Sequence, residues 1–297
     1  MLAFLAVAFS APVEVHLTID DAPWQIERGD EMPLAWAEVE EWNQKIIAAL
    51  GKRSVSASVM YTCERIQEGE NTVSMWSKAG HTLGNHTNSH QGLSRKKTEI
   101  EAWLADVRVC HDILNKELPK SPTWFRYPYL DYGMGRGKRD RATAGLAQMG
   151  YRTMPVTVAT SEWVHAYAYR RVRNANDLAG QREVVADWHR HMDEALEEGR
   201  KMARHIADRE VPQVVLVHVN ELVADHLGEL IDRWQDKEVT FVDSETAMAD
   251  EVYSWPNLYD GRGGISWFWR VVPEEKHLPY WFSDEEGRLR ERYHPLD

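Results

Sequence analysis

Two carboxylates and two imidazoles are the residues of this chain whose types and spacing most clearly suggest chemistry. Asp20 and Asp21 end a short apolar run, and His86 and His90 lie four residues apart further along the chain. One carboxylate and two neutral imidazoles form a hydrolytic zinc site whose fourth tetrahedral position stays open for water. We therefore assign Asp21, His86 and His90 as ligands of a divalent metal ion, with zinc as the first candidate. Asp20 is then a carboxylate free to take a proton from that water.

Neither pair is specific when taken alone. A chain with 13 histidines contains His-x-x-x-His pairs by chance, and an Asp-Asp pair is usually a solvated turn or a helix start. Three later motifs in a fixed order strengthen the assignment. They are Arg126-Tyr127-Pro128-Tyr129, Ser161-Glu162-Trp163 and Leu216-Val217-His218.

Together these segments resemble a known family over about residues 13–250. In order and spacing, Thr18 to Pro23, His86 to His90, Arg126 to Tyr129, Glu162-Trp163 and Leu216 to His218 resemble the five motifs of the NodB-homology polysaccharide deacetylases, carbohydrate esterase family 4. Two departures stand out. Ala22 stands where the family has glycine, and alanine fits there only if φ at that residue is negative. The fourth motif has Ala159 where the family has its first acid, and Glu162 where the family has an aspartate. These changes put in question how this motif adjusts the catalytic residues, rather than whether the protein is active.

The resemblance implies a role for each remaining site residue. His218 would be the general acid that protonates the leaving amine, and Glu162 would orient it and raise its pKa. Arg126 would pair with the base Asp20. The backbone N–H of Tyr129 would stabilise the oxyanion. Substrate contacts are implied at Tyr129, Trp163 and Leu216.

The implied function is metal-dependent removal of N-acetyl groups from N-acetylglucosamine units of a glycan such as peptidoglycan, chito-oligosaccharide or an exopolysaccharide. Two alternatives keep the fold and the metal: an O-acetyl esterase, and a deformylase or amidase of small molecules. A third is a glycan-binding protein with impaired catalysis, suggested by Ala159 and Glu162. A complete set of metal and acid–base residues weighs against the third.

Composition excludes some partners. The net charge of −12 argues against nucleic acid or an anionic membrane, whereas an acetylated, neutral glycan is compatible with it. Residues 12–297 contain no apolar run long enough to span a bilayer. Residues 1–11 are apolar and end in small residues, so they are either a truncated signal peptide, which we favour and which predicts export, or an apolar arm. For Cys63 and Cys110 we favour two separate buried side chains, and the sequence leaves a disulfide between them open.

Helical and strand-like patterns alternate along the chain, which predicts an α/β barrel or an open parallel sheet. Strand patterns cover 13–19 and 54–60, with short apolar runs at 155–158, 214–217 and 239–242. Helical patterns cover 36–50, 70–79, 97–116, 138–149, 183–207 and 222–235. The proposed site residues fall where the strand-like runs end, as in α/β barrels. The resemblance implies a distorted (β/α) barrel forming a single catalytic domain over 12–250, with an aromatic-rich C-terminal extension over 251–297.

The other histidines weighed in the sequence are not assigned to the metal site. The segment Asp187-Trp188-His189-Arg190-His191 is predicted to be an exposed charged helix face rather than a second metal site, because i and i+2 side chains of a helix point apart. His81 is the one other histidine near the metal motif, and nothing in the sequence assigns it. Structural roles are predicted for His16, His111, His205 and His226.

Overall fold

The computed structural model describes residues 12–25, 35–67 and 71–293. The predicted signal peptide or apolar arm at residues 1–11 lies outside the described residues. The strands are β1 Glu14–Ala22, β2 Ala57–Tyr61, β3 Thr82–Asn85, β4 Trp124–Phe125, β5 Arg152–Thr153, β6 Gln213–His218 and β7 Thr240–Phe241. The helices are α1 Trp36–Lys52, α2 Thr72–Lys78, α3 Ile100–Glu117, α4 Arg136–Gln148, α5 Glu162–Asn174, α6 Leu178–Ala207, α7 Glu221–Gln235, α8 Ser244–Met248, α9 Trp267–Arg270 and α10 Trp281–Tyr293.

All strand pairs are parallel, and the sheet runs β5-β4-β3-β2-β1-β6, with β7 also paired to β1. The sheet curls into a half-barrel covered by helices, so the predicted α/β barrel class is confirmed. β1 lies between β2 and β6, and its side chains are buried on both faces, as expected of a parallel strand between helical layers. The carboxyl ends of β1, β3 and β6 therefore meet at one edge of the sheet.

Helices pack on this sheet through apolar faces that the sequence already shows. Val39, Trp42, Ile46 and Leu50 recur at helical spacing along α1 and are all buried. The predicted helices at 70–79, 97–116, 138–149, 183–207 and 222–235 appear as α2, α3, α4, α6 and α7 with shifted ends. The apolar run at 155–158 is not a regular strand, and Val158 makes only an isolated bridge to Val215.

The C-terminal segment packs on the sheet through its aromatic residues. Trp267, Phe268 and Trp269 of α9 are buried in a core cluster that also contains residues from β4 and β6. Both indole N–H groups have acceptors. Trp267 donates to the carbonyl of Val252 at 3.1 Å, and Trp269 donates to that of Leu278 at 2.9 Å. Residues 251–293 therefore contribute to the main body of the fold.

The cysteine prediction is wrong. Cys63 and Cys110 form a disulfide with a Cα–Cα distance of 5.2 Å. Cys63 follows β2 and Cys110 lies on the buried face of α3, so the pairing depends on how α3 packs against the end of β2. A separation of 47 residues in sequence does not specify that packing. Among the described residues, no helix combines the length and apolar character needed to cross a membrane.

Candidate metal and catalytic site

Asp21, His86 and His90 meet at the carboxyl edge of the sheet. Asp21 lies near the end of β1, His86 follows β3 directly, and His90 lies on the next turn of the same loop. One ligand atom from each residue lies within 4.8 Å of the others. His90 Nε2 is 3.2 Å and His86 Nε2 is 3.8 Å from Asp21 Oδ1. These distances leave room for one ion between the three side chains.

The donor chemistry of this cluster fits a metal ion. His86 Nδ1 lies 2.8 Å from the carbonyl of Arg126, so it must carry the ring proton, and Nε2 presents its lone pair to the cluster. Asp21 Oδ1 is buried and has no hydrogen-bond partner among the described residues. Arg65 Nη1 lies 3.2 Å from that oxygen, which is an ionic contact without hydrogen-bond geometry. A cation at the cluster would satisfy this oxygen.

Burial and neighbouring charges set the ionisation states that metal binding needs. Burial lowers the pKa of His86 well below its ordinary value and lowers that of His90 to about 4, so both imidazoles are neutral at pH 7. Burial opposes ionisation of Asp21, but His90 and Arg65 overcome it and hold the pKa of that carboxyl well below its usual range. The cluster thus offers two neutral nitrogens and one carboxylate.

Left-handed backbone conformations concentrate at this cluster. Asp21 has φ of 64°, Thr87 67°, His90 53° and Tyr129 57°. Each costs about 1 kcal/mol or more for a residue with a side chain, and such residues are typical of binding and catalytic sites. Ala22 is not among the described residues with positive φ. This agrees with the negative φ expected where alanine replaces the family's glycine.

Asp20 lies beside the metal cluster and is held by a buried arginine. Arg126 Nη1 is 3.2 Å from Asp20 Oδ2, and its other nitrogens donate to Thr18 Oγ1 at 2.9 Å and to the carbonyl of Met154 at 2.7 Å. Burial raises the pKa of Asp20 to about 6, against the attraction of Arg126. Asp20 Oδ1 is buried and has no hydrogen-bond partner among the described residues, so it is available to accept a proton.

His218 stands opposite Asp20 because the two residues are paired in the register of β1 and β6. His218 Nδ1 lies 2.8 Å from Oε2 of Glu162, which is fully buried. The other oxygen of Glu162 accepts from the Asn220 side chain. Burial lowers the pKa of His218, but its hydrogen bond and charge interaction with Glu162 outweigh burial and raise the pKa to about 9. His218 is therefore protonated at neutral pH.

The three predicted substrate residues have different surroundings. Tyr129 is 53% exposed, and the centre of its ring lies 4.5 Å from that of the His90 ring. No acceptor in the described part of the chain takes its backbone N–H. Leu216 lies two residues before His218 on the same face of β6 and is 7% exposed. The Trp163 ring lies 5.2 Å from the guanidinium of Arg290 in α10.

The prediction for residues 187–191 is wrong in one respect. Asp187, Trp188 and His191 are buried rather than exposed. A signal was available, because Trp188, His191 and Met192 have the 3–4 spacing of a helix face. The structure places Asp187 Oδ2 3.4 Å from His165 and places His191 against Glu285. The one group of metal-type side chains found among the described residues is Asp21, His86 and His90.

The other histidines bond to the fold. His16 is buried between Ser58 Oγ at 2.8 Å and the carbonyl of Val242 at 3.0 Å. His81 Nδ1 accepts the backbone N–H of Ala57 at 3.2 Å, so it supports β2. The other three histidines predicted to be structural also form hydrogen bonds: His111 with Tyr151, His205 with the carbonyl of Lys276, and His226 with Tyr169. The site residues that the sequence did not indicate are Arg65 and Asn220.

Residues 11–154 match the family model described as polysaccharide deacetylase. A peptidoglycan-N-acetylglucosamine deacetylase of Bacillus cereus is 30% identical over 127 residues, which is 42% of this chain and 40% of that protein. Just under half of this chain therefore resembles the polysaccharide deacetylases in sequence. The match spans about two fifths of the curated relative's length.

Solved structures of the family share the fold. A CE4 esterase of Streptococcus mutans has a TM-score of 0.53 and 20% identity, with 78% of this chain and 85% of that chain covered. A peptidoglycan N-acetylglucosamine deacetylase has a TM-score of 0.51 and 20% identity, covering 80% and 88%. A CE4 family pseudoenzyme of Bacillus anthracis has a TM-score of 0.52 and 16% identity, covering 81% and 66%. The same fold therefore carries both enzymes and a pseudoenzyme, and the site residues must decide between them.

Proposed function

We propose that this protein is a metal-dependent hydrolase that removes N-acetyl groups from N-acetylglucosamine units of a glycan, with Zn²⁺ as the metal. The observation that carries the proposal is the pairing of Asp20 with His218 beside the Asp21–His86–His90 cluster. One is a buried carboxylate with a pKa of about 6, and the other is an imidazole with a pKa of about 9. Titratable groups whose pKa values are pushed apart in this way suit a base and an acid in one reaction.

Asp21, His86 and His90 would hold the metal, which supplies Lewis acidity toward the acetyl carbonyl and lowers the pKa of water at the site. Asp20 accepts the proton of the attacking water. The backbone N–H of Tyr129 donates to the oxyanion that forms on the carbonyl carbon. His218 donates its proton to the leaving nitrogen, so that a free amine and acetate result.

Arg126 and Glu162 act through these two groups. Arg126 fixes the Asp20 carboxylate through Oδ2 and leaves Oδ1 free for the proton. Glu162 accepts from His218 Nδ1, which leaves Nε2 as the nitrogen that can donate to substrate. Tyr129, Leu216 and Trp163 are proposed to contact the sugar or its acetyl group.

The proposed substrate is an acetylated glycan, and peptidoglycan is the first candidate because the curated relative is named for that activity. Export to the cell envelope, periplasm or medium would follow from that substrate. We also propose that 12–250 form the catalytic domain and that 251–297 are an extension of it. A second candidate is O-acetyl ester hydrolysis, since one structural relative is named a CE4 esterase.

The test is mass spectrometry of acetyl loss after incubation with defined chito-oligosaccharides and muropeptides, with acetylated xylan in parallel. The purified protein is supplemented with zinc, and Asp20→Asn serves as the inactive control. Loss of acetyl groups from the amino sugars alone supports the proposal. Loss from xylan alone would favour the esterase, and no loss from any substrate would favour a glycan-binding protein.

A further inference from the structure

A buried histidine outside the family motifs contacts the backbone next to Glu162. The N–H of Ser161, the residue immediately before α5, lies 2.9 Å from Nε2 of His191. Both residues are fully buried. Ser161 makes no side-chain hydrogen bond to the first turn of α5, and its hydroxyl oxygen has no partner among the described residues. The backbone at the start of α5 is therefore anchored by His191 from α6 rather than by its own cap.

This contact fixes the tautomer of His191. A backbone N–H can only donate, so Nε2 must be the acceptor and Nδ1 must carry the proton. Nδ1 lies 3.1 Å from Glu285 Oε1, a carboxylate oxygen that accepts this proton. Burial lowers the pKa of His191 to about 4, which agrees with a neutral ring at pH 7. A protonated ring would lose its acceptor and release Ser161.

Glu285 belongs to α10, and two arginines hold it in the ionised form. Arg288 donates to both of its oxygens at 2.8 Å, and Arg190 donates to Oε1 at 3.0 Å. These partners outweigh burial and hold the pKa of Glu285 well below its usual range. A continuous series of hydrogen bonds thus leads from the C-terminal helix through His191 to the peptide that precedes Glu162.

The position of that peptide decides whether Glu162 can reach His218. Glutamate is one methylene longer than the aspartate of the family motif, so the backbone must lie further back for Oε2 to meet His218 Nδ1 at 2.8 Å. A shift of this backbone by even about 1 Å would break a hydrogen bond of that length. The His191–Ser161 bond holds the backbone at the required distance.

We propose that His191, oriented by Glu285 of the C-terminal helix, is a positioning residue that sets Glu162, and through it His218, for proton donation to the leaving group. This inference rests on the proposed function, in which His218 is the general acid. It assigns α10 a part in catalysis although none of its residues contacts the reacting atoms.

The test compares His191→Leu with His191→Gln and with Glu183→Gln as a matched control. Leucine removes the acceptor for Ser161, whereas the glutamine side-chain oxygen reaches about as far as Nε2 and still accepts. Glu183 pairs with Arg292 on the exposed side of the α6–α10 contact, and its side chain is 67% exposed. Glu183→Gln therefore perturbs the same helix pair without touching Ser161 or His191.

We expect His191→Leu to lower kcat about tenfold to a hundredfold with KM changed less than about twofold, because only the acid is displaced. The basic limb of its pH–rate profile should move down by about one pH unit. The charged groups facing His218 from β1, Asp20 and Asp21, are unchanged in the variant, so the shift reports Glu162. His191→Gln should recover most of the kcat and the basic limb, and Glu183→Gln should match the wild type.

Three further measurements distinguish an effect on the position of Glu162 from a loss of folding and from a failure of the proposed function. Circular dichroism on heating shows whether each variant is folded at the assay temperature, and zinc content shows whether the metal cluster is intact. The pKa of His218, followed by NMR of its ring in zinc-loaded protein, should fall in His191→Leu even if no tested glycan is a substrate. A folded His191→Leu variant with the wild-type His218 pKa would overturn the inference. So would a His191→Gln variant as impaired as His191→Leu, because the effect would then come from packing alone.

Discussion

The two halves of the candidate site are built differently. The metal side, defined as Asp20, Asp21, His86 and His90, comes from β1 and the loop after β3. The acid side, defined as Glu162, His191, His218 and Glu285, comes from α5, α6, β6 and α10. The metal side lies within residues 11–154, which match the family model, and the acid side lies beyond them. The metal side therefore lies at the ends of two strands of the sheet, whereas the acid side joins one strand to three helices.

Backbone hydrogen bonds help to hold the histidine loop of the metal side. On the metal side, the N–H groups of Cys63 and Glu64 donate to the carbonyls of Thr87 and Asn88 at 3.2 and 3.0 Å, which holds the histidine loop by its backbone. The Cys63–Cys110 disulfide ties that support to α3. On the acid side, the support consists of side-chain hydrogen bonds and ion pairs. We therefore expect one substitution on the acid side to lower activity less than removal of one metal ligand does.

Removal of a metal ligand should have the largest effect. His90→Ala leaves two of three protein ligands, so we expect loss of stoichiometric zinc and a fall in kcat/KM of about 10³-fold or more. Elemental analysis of the purified protein alongside the activity assay checks both. His205→Ala, which removes a histidine outside the cluster, is the control and should keep its zinc. Equal zinc content in the wild type, His90→Ala and His205→Ala would show that His90 is not a zinc ligand.

Asp20→Asn should lower turnover without lowering the zinc content. Asparagine cannot accept the proton, so we expect kcat to fall about 10²- to 10⁴-fold while zinc content is unchanged. In the wild type, Asp20 must be ionised, so activity should rise as pH increases through about 6. This acidic limb should be lost from the residual activity of the variant. Loss of zinc from Asp20→Asn would mean that both aspartates are ligands.

Glu162→Gln should have a smaller effect, confined to the acid side. His218 must be protonated to donate, so wild-type activity should fall as pH increases through about 9. Without the glutamate charge the pKa of His218 drops toward its ordinary value of about 6.5, and the basic limb moves to lower pH. Glu162→Asp should retain partial activity, because the charge stays but the shorter side chain leaves a gap. A basic limb unmoved in Glu162→Gln would mean that another group supports His218.

The difference between the halves also explains what the sequence could predict. Asp21, His86 and His90 follow strands whose order and direction are fixed by a parallel sheet, so short motifs sufficed to bring them together. The i,i+2 argument for His189 and His191 predicts an exposed face, but it does not use the fact that His191 and Met192 lie three and four residues after Trp188. The partner of His191, Glu285, lies 94 residues away, and no local pattern connects them.

The smallest effect on activity should come from the disulfide that supports the metal side. A Cys63→Ser/Cys110→Ser double variant loses a cross-link across 47 residues, and loop-closure entropy predicts a loss of about 4 kcal/mol of stability. The hydrogen bonds from the 63–64 backbone to the histidine loop do not need the sulfur atoms. Well below the lowered Tm, we therefore expect zinc content and kcat within about twofold of the wild type. Thermal unfolding and zinc titration, each repeated on wild type treated with a phosphine reductant, measure the two effects separately. A folded double variant that binds zinc much more weakly would show that the metal side depends on a distant cross-link, as the acid side depends on α10. The contrast between a metal side held by backbone hydrogen bonds and an acid side held by side-chain contacts would then be wrong.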